Sequence, residues 1–135
     1  MNKCPKKNGS VLILAVFAIA IITTLAAGML QLSYEQIQLM QNQLYATEAF
    51  EISQAGLNSA FAQIRDDPNW NTGFAASSFA YGSFTVDVNN TDMPAITIRS
   101  VGTNNKGYSA RITANCIVAD QGPAAIRIAK LTVNK

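Results

Sequence analysis

V-L-I-L-A-V-F-A-I-A-I-I-T-T-L-A-A-G-M-L-Q-L, residues Val11 to Leu32, is the stretch on which the reading of the chain depends. No charged residue lies between Lys7 and Glu35. The apolar part of that window, roughly 20 residues, is long enough to cross a bilayer as a helix. Ahead of it stands a short basic segment with Lys3, Lys6 and Lys7. By the positive-inside rule these lysines place the N-terminus in the cytoplasm and the rest of the chain on the far side of the membrane. A secretory signal peptide would have a shorter apolar run and a small-residue cleavage site after it. Here Thr23-Thr24-Leu25-Ala26-Ala27-Gly28 leads straight into further helical sequence.

That further sequence has no proline from Gly28 to Arg65. Leu30, Ile37 and Leu44 recur at a seven-residue interval, with Met40 between them. Phe50, Leu57 and Ile64 repeat the interval, with Ala46, Ala60 and Phe61 on the same face. Glutamines 31, 36, 38, 41 and 43 take other faces, so the pattern is that of an amphipathic helix. Asp66-Asp67-Pro68 stops it, because the residue before a proline avoids the helical region. The spacing therefore predicts one helix from Ser10 to about Arg65, roughly 85 Å at 1.5 Å per residue. Phe50 to Ile64 is expected to pack on the protein's own sheet, and Leu30 to Leu44 on neighbouring helices.

Residues 69–81 read as a loop packed down by Trp70, Phe74 and Phe79. From Gly82 the period changes to two. Phe84, Val86 and Val88 alternate with Thr85 and Asp87, and Ile96 and Ile98 share a face of a second strand. Tyr108, Ala110, Ile112, Ala114, Cys116 and Val118 face one way along a third strand, and Ser109, Arg111, Thr113 and Asn115 the other. Residues 124–133 form a last strand. Turns are expected at residues 89–94, 102–107 and 120–123. Short turns between alternating strands indicate an antiparallel meander with one wet face. The fold expected is α+β: a long N-terminal helix, about 10–65, on a C-terminal antiparallel sheet of about four strands. The segments are residues 1–9 as leader, 10–32 as membrane-spanning half-helix, 33–67 as amphipathic half-helix and 68–135 as the sheet part of the domain.

Charge and chemistry narrow the function. Of ten basic residues three lie before Ser10, leaving seven against eight acids, so there is no basic block for nucleic acid. With no histidine there is no histidine-based triad or metal site. No cofactor is expected. Asp66-Asp67 reads as a solvated helix stop, with calcium holding as the sharper alternative. Asp87, Asn89, Asn90 and Asp92 are a second oxygen cluster without the spacing of a calcium loop. Arg99, Arg111 and Arg127 are expected on the wet face, solvated or facing an anionic ligand. Cys4 and Cys116 would sit on opposite sides of a membrane and stay unpaired, with Cys116 a small buried hydrophobe. The chemistry supports no enzyme.

Lys6-Lys7-Asn8-Gly9-Ser10 followed at once by the apolar run resembles the class III leader of type IV pilins and pilin-like proteins. The stretch from Ala49 to Ala60, A-F-E-I-S-Q-A-G-L-N-S-A, resembles the A-F-x-x-A-E-A-G-L-x-x-A phrase of PilX-like minor pilins, with Ser53 and Gln54 departing from it. Asp67-Pro68-Asn69-Trp70 and Ile96 to Gly102 are similar to phrases of the same proteins. The resemblance implies that a prepilin peptidase in the bacterial inner membrane cuts after Gly9 and that Ser10 becomes an N-methylated terminus, where most pilins have phenylalanine. It also implies that Leu14 stands where most pilins carry a glutamate. That glutamate pairs with the terminal amine of the subunit ahead; PilX-like minor pilins and K-type (GspK-like) pseudopilins often lack it. Leu14 thus implies a place at the tip or in initiation of a type IV pilus or type II secretion fibre. The implied partners are other pilin or pseudopilin subunits, packed through Leu14, Leu30, Ile37 and Leu44, with membrane lipid and the peptidase. The competing expectation is a single-pass anchored binding module or adhesin whose β domain carries the function.

Overall fold

The computed structural model describes residues 8–119 and 125–134, with the side chains of residues 8 and 9 left aside. The leader residues 1–7, Cys4 and the turn expected at 120–123 lie outside the described residues. One helix, α1 (Asn8–Asp66), precedes five strands: β1 (Phe74–Phe79), β2 (Gly82–Asp92), β3 (Ala95–Asn104), β4 (Ser109–Ala119) and β5 (Ala125–Asn134). The strands form one sheet in the order β1-β2-β3-β4-β5, each antiparallel to the next. The fold is α+β, with a long N-terminal helix and an antiparallel sheet. Contacts divide it into two units, Met1–Gln41 and Asn42–Lys135.

Within the first unit all the described side chains of α1 are exposed. In the second unit α1 lies on the sheet through a stripe of small residues. Ala49, Ser53, Gly56 and Ala60 are spaced four, three and four apart, which keeps them on one helix face. All four are buried. A side chain on Gly102 of β3 would collide with the Ser53 backbone nitrogen and the Ala49 carbonyl oxygen. A Cβ on Gly56 would stand 2.8 Å from the Phe84 ring. Ser100 Oγ donates to the Ser53 carbonyl at 2.7 Å, and Ser53 Oγ to the Phe50 carbonyl at 2.7 Å. Helix and sheet thus meet almost backbone to backbone. Ile52, Leu57 and Ile64 fill the flanks with Phe84, Val86, Ile96, Ile98, Ile112 and Cys116.

The expected alternation holds on β2, β3 and β4. Ala110, Ile112, Ala114, Cys116 and Val118 are buried, while Arg111, Ile117 and Ala119 on the opposite face are exposed. Two expectations need correction. The sheet has five strands rather than about four, because residues 74–79 pair with β2 instead of forming a loop. F-A-A-S-S-F has no branched alternation to announce a strand, and its pairing is interrupted by a bulge between Phe74 and Ser77, with Ala76 at φ 46°. Trp70 and Phe74 nonetheless pack on the core as expected, with ring centroids 5.1 Å apart. The expected 89–94 and 102–107 turns are tighter than foreseen: β2 runs on to Asp92 and β3 starts at Ala95, around a cis Met93–Pro94 bond, and β3 runs on through Gly102 to Asn104.

Candidate membrane and assembly surface

The apolar half of α1 is one helix long and apolar enough to cross a membrane. Its few polar groups are turned inward. Thr23 Oγ donates to the carbonyls of Ile19 (3.0 Å) and Ala20 (2.9 Å). Thr24 Oγ donates to those of Ala20 (3.0 Å) and Ile21 (2.8 Å). In hydrocarbon an unpaired hydroxyl costs several kcal/mol, on the order of 4–8 in a solvent that cannot hydrogen-bond. The Thr23 and Thr24 hydroxyls avoid that cost by bonding within the helix.

The residues expected in processing, Gly9 and Ser10, and in assembly, Leu14, Leu30, Ile37 and Leu44, all lie in α1. Gly9 and Ser10 fall in the first turn of α1, and Ser10 is exposed. Leu14 is 71% exposed, and no charged side chain accompanies it before Glu35. Leu30, Ile37 and Leu44 lie along one helix face, 73%, 53% and 57% exposed, with Met40 beside them. The face drifts only about 20° per seven-residue step, so the three leucine and isoleucine side chains make a continuous stripe. Ser33 Oγ is bonded back to the Met29 carbonyl at 2.9 Å. A partner pressed against this stripe would meet hydrocarbon.

Where the stripe ends, a polar cluster holds the helix to the sheet. Asn104, 4% exposed at the end of β3, uses its whole side chain. Its Nδ2 donates to the Tyr45 carbonyl and to Glu48 Oε2, both at 3.2 Å. Its Oδ1 accepts from the backbone nitrogens of Lys106 and Tyr108, both at 3.0 Å. Tyr108 donates its hydroxyl to Asn42 Oδ1 at 2.6 Å and sets its ring 5.3 Å from that of Tyr45. Sequence reasoning took Asn104 as one of several turn residues. Its helix partners Tyr45 and Glu48 lie 59 and 56 positions away, and nothing in the local pattern points to them.

The other candidates are occupied structurally. Asp67 Oδ1 accepts from the Asn69 backbone at 2.9 Å, and Asn89 Oδ1 from that of Thr91 at 3.0 Å, both closing turns. Among the described residues no three His, Cys, Asp or Glu side chains gather as a metal set. Arg99, Arg111 and Arg127 are exposed on the wet face, with Arg99 opposite Asp87. Cys116 is buried in the core, and burial pushes its thiol pKa up. Compared with protein-family models, curated proteins and solved structures, the chain matches none.

Proposed function

We propose that the chain is a minor pilin or pseudopilin, a structural subunit of a type IV pilus or type II secretion fibre that acts at the tip or in initiation. The observation that carries this reading is one unbroken helix with two surroundings. From Ser10 to Leu44 every side chain is exposed, most are apolar, and none is charged before Glu35. From Ala49 the same helix is the central element of a packed domain. An anchor alone gains nothing from continuing into the core. A subunit drawn out of the bilayer does, because the same helix then offers its apolar half to neighbouring subunits.

The energetics permit such a transfer. In water each large apolar side chain left exposed costs about 1.5–3 kcal/mol, so the stripe is stable only in lipid or against other helices. Between those two surroundings the hydrophobic term nearly cancels, and side-chain packing decides. A glutamate at Leu14 would cost about 2.5–3.5 kcal/mol in the membrane unless paired. Leucine there carries no such cost and needs no subunit ahead of it, which supports the tip or initiation role. The chemistry is packing, without catalysis.

The test is processing at Gly9. In cells that hold a prepilin peptidase, the membrane-bound protein should begin at N-methylated Ser10, and Gly9→Leu should retain the leader. An intact leader in both would sink the reading.

A further inference from the structure

Asparagine followed two positions later by serine or threonine, with no proline between, is the acceptor pattern for N-glycosylation. The chain has it twice, at Asn8-Gly9-Ser10 and at Asn89-Asn90-Thr91. The settings differ. The first follows Lys6 and Lys7 at the start of the apolar run. The second has an acid two positions ahead of its asparagine, Asp87-Val88-Asn89-Asn90-Thr91. That is the longer acid-x-N-x-S/T pattern read by oligosaccharyltransferases of the bacterial type.

The fold presents the second triplet and no other part of the chain in this way. β1 pairs with β2 from Gly82 to Val86, so past Val86 no strand lies beside β2 on that side among the described residues. Strand alternation sets Asp87 and Asn89 on the same face, and both are exposed. Pairing with β3 is interrupted between Asn89 and Asp92. Within that irregularity Asn89 Oδ1 accepts from the Thr91 backbone nitrogen at 3.0 Å and from the Thr91 hydroxyl. This Asx turn holds the amide oxygen inward against Thr91. Asn89 Nδ2, the atom a glycan would join, makes no hydrogen bond among the described residues. Its neighbour Asn90 is the contrast: half-buried, it donates Nδ2 to the Asn69 carbonyl at 3.0 Å. Of two adjacent asparagines, the one that fits the pattern is the one whose amide nitrogen is free. The core of the second unit lies on the opposite face of the sheet, so a saccharide on Asn89 extends into water without disturbing it.

We infer that Asn89 is an N-glycosylation site. The inference rests on the proposed fibre reading, in which this domain lies outside the cytoplasm, where such transferases act. The co-substrate is a polyprenyl-diphosphate-linked oligosaccharide. Asn89 Nδ2 bonds to the anomeric carbon of its first sugar. The bond from that carbon to the diphosphate oxygen breaks, and the polyprenyl diphosphate leaves with the electron pair. One amide proton passes to a base of the transferase. Thr91 supplies the hydroxyl that the transferase recognises, and Asp87 a carboxylate for a cationic contact beside it.

The experiment isolates the full-length protein from the membranes of its own cells and reads the tryptic peptide of residues 66–99 by mass spectrometry. That peptide contains Asn89, and no lysine or arginine precedes Arg99 within it. Most of it should carry a saccharide that fragments in single-sugar steps. Asn89→Gln and Thr91→Val should each abolish the added mass, Thr91→Ser should keep it, and Asp87→Ala should lower its occupancy several-fold. An unmodified peptide in the parent overturns the proposal, as does a saccharide that survives Asn89→Gln or Thr91→Val. The three side chains are exposed, so the variants should melt with the parent. Should Asn89→Gln melt well below it, Thr91→Val against Thr91→Ser decides. Protease added to spheroplasts should digest the domain; a protected domain would reject the orientation and the site together. An unmodified peptide from protein correctly cut after Gly9 would reject the glycosylation site alone. A saccharide on Asn89 with an uncut leader would reject the fibre reading and leave the site standing.

Discussion

Gly102 and Asn104, two residues apart on β3, show how single side chains set the helix on the sheet. Gly102 matters through what it lacks. Gly102→Ala forces a methyl group against the helix backbone at Ser53 and Ala49, which no rotamer change relieves. Overpacking of this kind costs about 1–3 kcal/mol. The expected result is a melting temperature lower by several degrees, read by circular dichroism. Asn104 matters through both ends of its amide. Asn104→Asp cannot donate to the Tyr45 carbonyl and sets a second carboxylate beside Glu48. The expected loss is roughly 2–4 kcal/mol at pH 7, from the unpaired buried groups and the repulsion. Urea titrations of parent and variant at pH 7 would measure that loss. Cys116 gives a third residue-scale outcome. Its raised pKa and burial make it inert in the native state. Iodoacetamide at pH 8 should label it slowly, and rapidly once urea unfolds the domain. Because the unfolded thiol ionises first, its contribution is complete below the ordinary thiol pKa and declines as pH rises above it.

At the scale of elements, legibility follows periodicity. α1 was legible because its pattern runs without a break; the expected 10–65 compares with Asn8–Asp66. The strands β2, β3 and β4 were legible because branched and polar residues alternate along them. β1 was not, since small residues and serines take either conformation and its partner β2 decides. The inner face of β5 was hidden by its bulge: Ile126 and Ile128 are in one phase, Leu131 and Val133 in the other, and only the shifted register aligns them. The same irregularity has a consequence for β1. It is short, bulged and at an edge, with one partner strand. Local opening should be easier there than in the centre of the sheet. Hydrogen exchange should consume the β1 amides well before those of β3; equal protection of the two would contradict the assignment of β1 as a marginal edge.

At the scale of the molecule, the small-residue stripe of the second unit sets how closely helix and sheet approach. Ala49, Ser53, Gly56 and Ala60 are the positions where they meet, with Gly56 set against Phe84 and Ser100. The candidate site was legible in part. The apolar helix and its stripe can be read directly from spacing. The Asn104 cluster depends on long-range register, which local pattern does not contain. The functional reading turns on what covers the stripe of α1. The most direct measurement places benzoylphenylalanine at Ile37 in living cells and compares adducts with and without the assembly ATPase. The account predicts adducts to the helix of another pilin-like subunit when the ATPase is present and to lipid alone when it is absent. Lipid adducts alone in both would contradict it and leave a permanent anchor.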